Sequence, residues 1–137
     1  MKRALSLALL CGAILCLVSG CGGNVRNVER LYAPSSLYSQ EEIDAAMDVA
    51  IRYFKKEFSG CTLTQIQYPG DDAEAFAHWA DQCEKDQAII LTSSFTVDAS
   101  GGDGSLNPNS TYTGWNWILV RDLSLIHISE PTRLDVI

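Results

Sequence analysis

The stretch "SQEEIDAAMDVAIRYFKKEFSG", residues 39–60, decides how the rest of this 137-residue chain folds. Ser39 followed by Glu42 matches a capping box, in which each side chain accepts a hydrogen bond from the other residue's backbone N–H. Gly60 is placed to end the helix in a left-handed turn. Apolar residues recur at steps of three and four, which predicts one buried helical face: Ile43, Met47, Ala50, Ile51, Phe54 and Phe58. The pattern lasts too few heptads for a coiled coil, so the helix must pack on other elements.

Strands and a second helix are predicted after this helix. "CTLTQIQY" (61–68) is rich in residues that suit strands. "DDAEAFAHWADQCEKD" (71–86) predicts a helix capped by Asp71. "QAIILTSSFTVD" (87–98) alternates between apolar and polar residues, as half-buried antiparallel strands do. "YTGWNWILVRD" (112–122) predicts a strand that is apolar on both faces.

The predicted fold class is therefore α+β, with helices packed on a small curved antiparallel sheet. A strand that is apolar on both faces is usually central in its sheet. The predicted domain, residues 39–122, offers no further strand to pair with its last one. The sequence thus predicts that at least one C-terminal strand is missing from this domain.

The N-terminal segment "MKRALSLALLCGAILCLVSGCGG" (1–23) has the features of a secretory signal. A basic start is followed by an apolar run too short for a membrane span of ~20 residues, which favours a cleavable signal peptide over residues 1–20. The ending "LVSGC" resembles a bacterial lipobox, which implies that Cys21 carries lipid as the first mature residue. The protein is then extracytoplasmic and anchored to the outer face of the bacterial cell membrane. An ordinary signal peptide or a retained helical anchor is the alternative.

Residues 21–38, between the lipidation site and the first helix, begin with glycines and lack a sustained period. This composition predicts a tether. A short lead-in packed on the domain is an equal alternative, through four apolar or aromatic side chains: Leu31, Tyr32, Leu37 and Tyr38.

The last fifteen residues, 123–137, have neither a helical period nor a strand alternation. The string "LSLIHISEPTR" (123–133) resembles, without a gap, the translation of a transposon-end adapter used to prepare sequencing libraries. We therefore expect residues 123–137 to be a non-native tail and the natural coding sequence to be cut near Asp122. A genuine terminal strand is the alternative.

The charge of the predicted mature segment excludes one class of partner. Residues 21–122 contain seven basic and fifteen acidic side chains, and their longest run of basic residues is Lys55-Lys56. Such a surface repels the phosphate backbone, so we expect no nucleic-acid partner.

Most of the mature chain, residues 38–122, resembles a group of lipoproteins from clostridia and related gut Firmicutes that carry a domain of unknown function. The resemblance rests on "YSQEEIDAAMDVAIRYFKKEFSGCTLTQIQYPGDD", "FAHWADQ" and "SSFTVDASGGDGSLNPNSTYTGWNWILVR". It implies a cystatin-like or nuclear-transport-factor-like α+β fold that continues through at least one more strand. It supplies no catalytic residues.

Cys61 and Cys83 are the thiols of the predicted domain, and an extracytoplasmic location permits a disulfide. Cys61 begins a strand about 23 Å long at ~3.3 Å per residue. The helix that follows, ending near Cys83, returns about 18 Å at ~1.5 Å per residue. The two cysteines could therefore meet, and two separate buried thiols fit equally well.

No catalytic or metal site is predicted, and no cofactor. "DASGGDGSLNPN" (98–109) offers oxygen ligands, but its spacing fails the EF-hand pattern. His78, the one histidine of residues 21–122, has no nucleophile indicated within reach.

Trp115 and Trp117 could line a groove for a glycan or peptide, because aromatic faces suit such ligands. Core packing against the first helix is the alternative. We expect a non-catalytic binding or sensing module at the cell envelope, with an unknown peptide, glycan or protein partner. An enzyme with a pocket inside the curved sheet and a purely structural spacer are the competing functions. An enzyme should show converging polar groups with a perturbed pKa, and a binding module should show an exposed aromatic or edge-strand surface.

Overall fold

A computed structural model describes residues 22–123 and 135–136. The predicted signal peptide, Cys21 and most of the predicted adapter-derived tail lie outside these residues. The elements follow one another as β1 (Glu29–Tyr32), α1 (Gln40–Glu57), β2 (Cys61–Tyr68), α2 (Ala73–Gln82), β3 (Gln87–Val97), β4 (Thr111–Arg121) and β5 (Asp135–Val136). The strands form one open sheet in chain order. The prediction of an α+β fold is confirmed.

The sheet is mixed rather than wholly antiparallel. Strands β2, β3, β4 and β5 pair antiparallel, whereas β1 lies parallel to β2, with Leu31 opposite Gln67. Helix α1 connects β1 to β2 and so makes the crossover that a parallel pair requires. The first strand therefore extends the sheet beyond the antiparallel core that the sequence predicts.

The prediction of a tether over residues 21–38 is wrong for the described part, residues 22–38. The Asn24 backbone N–H donates to the Cys61 carbonyl at 2.8 Å, and β1 then pairs with the exposed edge of β2. Backbone groups on that edge need partners, which the segment supplies. The alternative, a packed lead-in, is correct in outline, but the packed side chains are mostly others: Val25, Val28, Ala33 and Tyr38. Three of the four side chains first expected to pack are instead exposed: Leu31, Tyr32 and Leu37.

Helix α1 begins and packs as its sequence predicts. The Ser39 N–H donates to Glu42 Oε1 at 3.0 Å, and the Glu42 N–H donates to Ser39 Oγ at 3.1 Å, which completes the capping box. The buried face contains Ile43, Ala46, Met47, Ala50 and Phe54. Phe58 caps the C-terminal end and is partly buried, and Gly60 follows in the left-handed region at φ 73°.

Glu42 has a second partner that joins α1 to the far end of the sheet. Arg121, the last residue of β4, donates from Nη2 to Glu42 Oε2 and from Nε to Gln87 Oε1 at 2.7 Å. The Arg121 guanidinium also lies 5.8 Å from the Tyr38 ring centre. Burial by itself would raise the pKa of the Glu42 carboxyl, but hydrogen bonds from Ser39 and Arg121 outweigh it and lower that pKa. Glu42 therefore stays ionised beside its cation.

Both faces of β4 near its C-terminal end are covered by helices. Leu119 belongs to the main core that α1 covers, and its neighbour Val120 points to the opposite face, as successive strand residues do. There Val120 packs with Ala80 of α2 and with Ala88. The apolar character of both faces is thus explained by two helices. Along its edge, β4 pairs with β5 only at Leu119 and Val120 among the described residues.

Two β-bulges lie opposite Ser94 and bend the sheet at one level. Thr64 is the extra residue in β2, and its hydroxyl donates to the Ser94 carbonyl at 3.0 Å. In β4 the register shifts by one residue between Tyr112 and Trp115, where Gly114 adopts φ 67°. Each bulge increases the local twist and bends its strand. The predicted curvature therefore has a defined position in the sheet.

Helix α2 starts one residue later than its sequence predicts. The cap is Asp72, whose Oδ1 accepts from the Ala75 N–H at 3.0 Å. Asp71 accepts instead from Ser35 Oγ at 2.6 Å and from Tyr68 Oη at 2.5 Å. These bonds, the one from Ser35 first, hold the pKa of the Asp71 carboxyl well below its ordinary value. Asp71 thus ties the lead-in to the end of β2 and leaves the capping role to its neighbour.

The shared role of Glu42 predicts an order of stabilities. Ser39→Ala should lower the free energy of unfolding by about 1 kcal/mol, as loss of an N-cap does. Glu42→Ala should lower it by about 2–3 kcal/mol, because it also leaves the Arg121 guanidinium without its carboxylate. Urea denaturation followed by circular dichroism measures both. The neighbouring exposed Glu41→Ala is the matched control, with a change within about 0.5 kcal/mol. Equal losses for Ser39→Ala and Glu42→Ala would show that Arg121 adds nothing.

Candidate ligand-binding groove

The two tryptophans of β4 occupy different environments. Trp117 is only 3% exposed, and its indole Nε1 donates to Ser93 Oγ at 2.8 Å. The Tyr53 ring of α1 packs edge-to-face on it, with the ring centres 5.9 Å apart. Trp117 is therefore a core residue, and its expected place on a ligand surface is corrected. The alternative of core packing against the first helix describes it.

Trp115 is half-buried and borders a groove of about 280 Å³. We call this the Trp115 groove and define it by six of the side chains that line it: Tyr53, Glu57, Phe58, Cys61, Asp103 and Trp115. The groove lies beyond the last turn of α1, which ends at Glu57 and leaves this part of the sheet uncovered. The position of the helix end thus leaves Trp115 half-buried and Trp117 buried.

The aromatic wall of the groove is held by the core behind it. The Trp115 ring packs edge-to-face against Phe95, with ring centres 5.3 Å apart, and contacts Tyr112 as well. The rings of Phe58 and Trp115 stand at 88° to each other, 5.9 Å between centres, and form a corner. Tyr53 remains 43% exposed. A rigid aromatic corner loses little conformational entropy when a ligand packs into it.

The loop between β3 and β4 supplies the opposite side of the groove. Its ends are joined by the Asn109 N–H, which donates to the Asp98 carbonyl at 2.9 Å. Gly102 adopts φ 68° there, and a Cβ at this position would lie 3.2 Å from the Leu106 side chain. The loop therefore needs glycine in order to turn back toward Phe58 and to place Asp103 at the groove.

Asp103 adds negative charge to the groove, whereas Cys61 adds a neutral thiol. Hydrogen bonds from the Ser105 hydroxyl and then from its backbone N–H lower the pKa of the Asp103 carboxyl, which keeps it ionised. Burial raises the pKa of the Cys61 thiol, and the charges of Asp98 and Asp103 raise it further. Because the thiolate is the nucleophilic form, a thiol held protonated is a poor nucleophile. Cys61 therefore acts as an apolar wall of the groove.

The structure leaves Cys61 and Cys83 as separate free thiols, which is the second of the two alternatives that the sequence left open, although only Cys61 is buried. Cys61 lies opposite Val97 at one end of β3, whereas Cys83 packs near Ala88 at the other end. The nine residue steps from Ala88 to Val97 span ~30 Å at ~3.3 Å per step. The estimate from element lengths that the two cysteines could meet failed for a geometric reason. Strand β3 extends beyond the end of β2, and α2 packs near that extended end instead of running back along β2 toward Cys61.

The remaining candidates from the sequence lie apart from the groove. His78 is exposed on α2, where its ring lies 5.4 Å from that of Trp79. Asp98 accepts hydrogen bonds from the Ser100 N–H and hydroxyl, a local turn. Within residues 22–123 and 135–136, no three histidine, cysteine, aspartate or glutamate side chains converge as metal ligands would.

Sequence reasoning missed Tyr53, Glu57 and Asp103. Tyr53 and Glu57 are four residues apart on α1 and therefore lie on one side of the helix. Tyr53 follows Val49 and Ala50 by one turn and so extends the apolar side of α1 toward Glu57, which was the available signal. Asp103 had no comparable signal, because the path of its loop depends on contacts of Gly102 with Leu106, Ser59 and Cys61.

Comparisons of the chain with protein-family models, with curated proteins and with solved structures gave no match. The cystatin-like or nuclear-transport-factor-like form of the α+β fold therefore stays a prediction. Neither described helix combines the length and the apolar character that crossing a membrane requires.

Separate thiols predict a specific chemical result. Peptide mapping of the mature, non-reduced protein should recover Cys61 and Cys83 in different peptides. Iodoacetamide should label Cys83 before Cys61 in the folded protein, because Cys61 is buried and its thiol pKa is raised. Labelling in urea, where both thiols should react alike, is the control. A cross-linked Cys61–Cys83 peptide would contradict the arrangement.

Proposed function

We propose that this chain is a bacterial lipoprotein, anchored by lipid on Cys21 at the outer face of the cell membrane, whose domain binds a small ligand in the Trp115 groove without transforming it. The anchoring rests on the basic start, the apolar run and the lipobox-like "LVSGC" of the sequence. The domain would then sit close to the membrane surface, because β1 begins only eight residues after Cys21. A diffusible small molecule could still reach it there.

The exposed aromatic corner carries the binding proposal. Tyr53 is exposed, and the partly buried Phe58 and Trp115 line the same concave site, which is the kind of lining that small-molecule pockets have. Their backs are fixed by core contacts, so the exposed ring surface is not needed to hold the fold together at this point. A structural spacer has no use for such a surface.

Two observations favour binding over the enzyme alternative. The sheet face that would enclose a catalytic pocket is filled by side chains with no solvent exposure, among them Met47, Phe54 and Leu91. In the Trp115 groove, the pKa of Asp103 is lowered and that of Cys61 is raised, so both pKa values lie further from neutral pH than the ordinary values do. A general acid or base works best with a pKa near the operating pH.

Anchoring predicts a change in size and fractionation that depends on one cysteine. In a bacterial host, the wild-type chain should incorporate labelled palmitate and sediment with membranes. Globomycin-type inhibition of the processing peptidase should accumulate a larger, lipidated precursor. Cys21→Ser should abolish labelling, whereas Cys16→Ser, inside the predicted signal peptide, should leave it unchanged. Identical size and fractionation of wild type and Cys21→Ser would overturn the anchor.

Binding in the groove predicts a response confined to one of the three tryptophans. The full chain, labelled with fluorotryptophan and held in a nonionic detergent, is titrated with a charge-balanced library of small cations, anions and neutral compounds. At least one class should shift the fluorine resonance of Trp115, assigned with Trp115→Phe, and leave that of Trp79 on α2 unchanged. Absence of any shift at Trp115, or equal shifts at Trp79, would overturn the proposed site.

A further inference from the structure

We infer that the ligand of the Trp115 groove is an organic cation, an ammonium group that carries apolar substituents. This inference rests on the proposed function and specifies the chemical class that the same groove selects. It is carried by aromatic faces and ionised carboxylates that line one small concave site.

The aromatic corner suits a cation with an apolar surface. Tryptophan, tyrosine and phenylalanine faces carry negative electrostatic potential and attract ammonium groups within about 6 Å of the ring centre. Phe58 and Trp115 both line the groove, and their ring centres are 5.9 Å apart, so one alkylated ammonium group is small enough to approach both residues. Tyr53, still 43% exposed, adds a third ring to the lining.

The charged side chains that line the groove are negative, opposite in sign to an ammonium group. Glu57 comes from the last turn of α1 and Asp103 from the opposite loop, so the two carboxylates approach the groove from different elements. No lysine or arginine of the described residues lines it. Lys55 and Lys56 precede Glu57 on α1 but lie outside the lining. With a net charge of −7, the whole chain also favours the approach of cations.

Size and ligand chemistry separate an organic cation from other occupants. About 280 Å³ lies just below the ~300 Å³ at which pockets for drug-sized ligands begin, which suits a headgroup-sized molecule. A hard metal ion needs several oxygen ligands, whereas only two carboxylates line this groove and three of its ten lining residues are aromatic. An anion would meet two carboxylates. A neutral sugar could stack on the rings and donate hydroxyl hydrogen bonds to Glu57 and Asp103, but it would not gain the charge–charge attraction that a cation gains.

Choline and its uncharged carbon isostere, in which a tert-butyl group replaces trimethylammonium, test the inference. The two molecules match in shape and differ in charge. We expect choline to shift the fluorotryptophan resonance of Trp115 and to bind at least about fivefold more tightly than the isostere, as a desolvated cation–π contact implies. Putrescine, with primary amines, is a third probe and distinguishes alkylated from simple ammonium groups.

Variants without the two carboxylates test whether Glu57 and Asp103 cause the preference for choline over its uncharged isostere. Glu57→Gln with Asp103→Asn should weaken choline binding about tenfold or more and leave the isostere unchanged, because only the cation interacts with the charges. Asp103→Asn keeps the oxygen that accepts from the Ser105 N–H, so the loop should hold. Asp81→Asn, the same change on the exposed side of α2, is the matched control and should have no effect.

The outcomes separate this inference from the proposed function. If choline does not bind more tightly than the uncharged isostere, or if putrescine binds more tightly than choline, the inference of an alkylated ammonium ligand is overturned. A neutral or anionic compound that still shifts Trp115 would in that case leave the binding function in place. An unchanged preference for choline in the double variant would likewise overturn the roles of Glu57 and Asp103. If no compound of any charge shifts Trp115, the binding function falls with the inference.

Discussion

The carboxylate of Glu42 is the contact on which the arrangement of this domain depends. It accepts from the Ser39 N–H at the start of α1 and from Arg121 at the end of β4, so a local cap also joins two elements that are distant in the chain. Because a helix has a fixed length, securing its start against the sheet also sets where its other end falls. That end, at Glu57 and Phe58, stops short of covering Trp115. The groove thus follows from the position of the helix over the sheet.

Local signals in the sequence predicted the elements, and pairing across the sheet was not predictable from them. The capping box and the apolar face of α1 involve residues within a few turns of one another, and both are present in the structure. Strand β1 is different, because "ERLY" has no clean alternation and becomes a strand through pairing with the exposed edge of β2. Asp71 is a similar case. The local sequence predicts that Asp71 caps α2, but its side chain accepts hydrogen bonds from Ser35 and Tyr68 instead.

Of the residues of the candidate site, the sequence pointed to Trp115 but not to Tyr53, Glu57 or Asp103. Trp115 and Trp117 are two residues apart and point to the same side of β4, so alternation alone could not distinguish them. What distinguishes them is that Tyr53 lies over Trp117, whereas Trp115 lies past the helix end. The disulfide estimate failed for a related reason. Strand β2 has its predicted length and α2 is shorter than predicted, but the register of β3 against β2 decides which ends meet, and register is a property of the assembled sheet.

The bulge at Gly114 affects how copies of this protein can associate. Most of β4 is an exposed strand edge among the described residues, and such edges recruit strands from other molecules into growing aggregates. The extra residue changes the alternation of hydrogen-bonding groups partway along β4. A regular incoming strand can therefore pair with the edge on one side of the bulge but not on both sides. A Cβ at Gly114 would meet nothing within 4 Å, so a side chain would fit there sterically and only the left-handed backbone demands glycine. The backbone conformation at one residue thereby limits fibril-like growth from this side of the sheet.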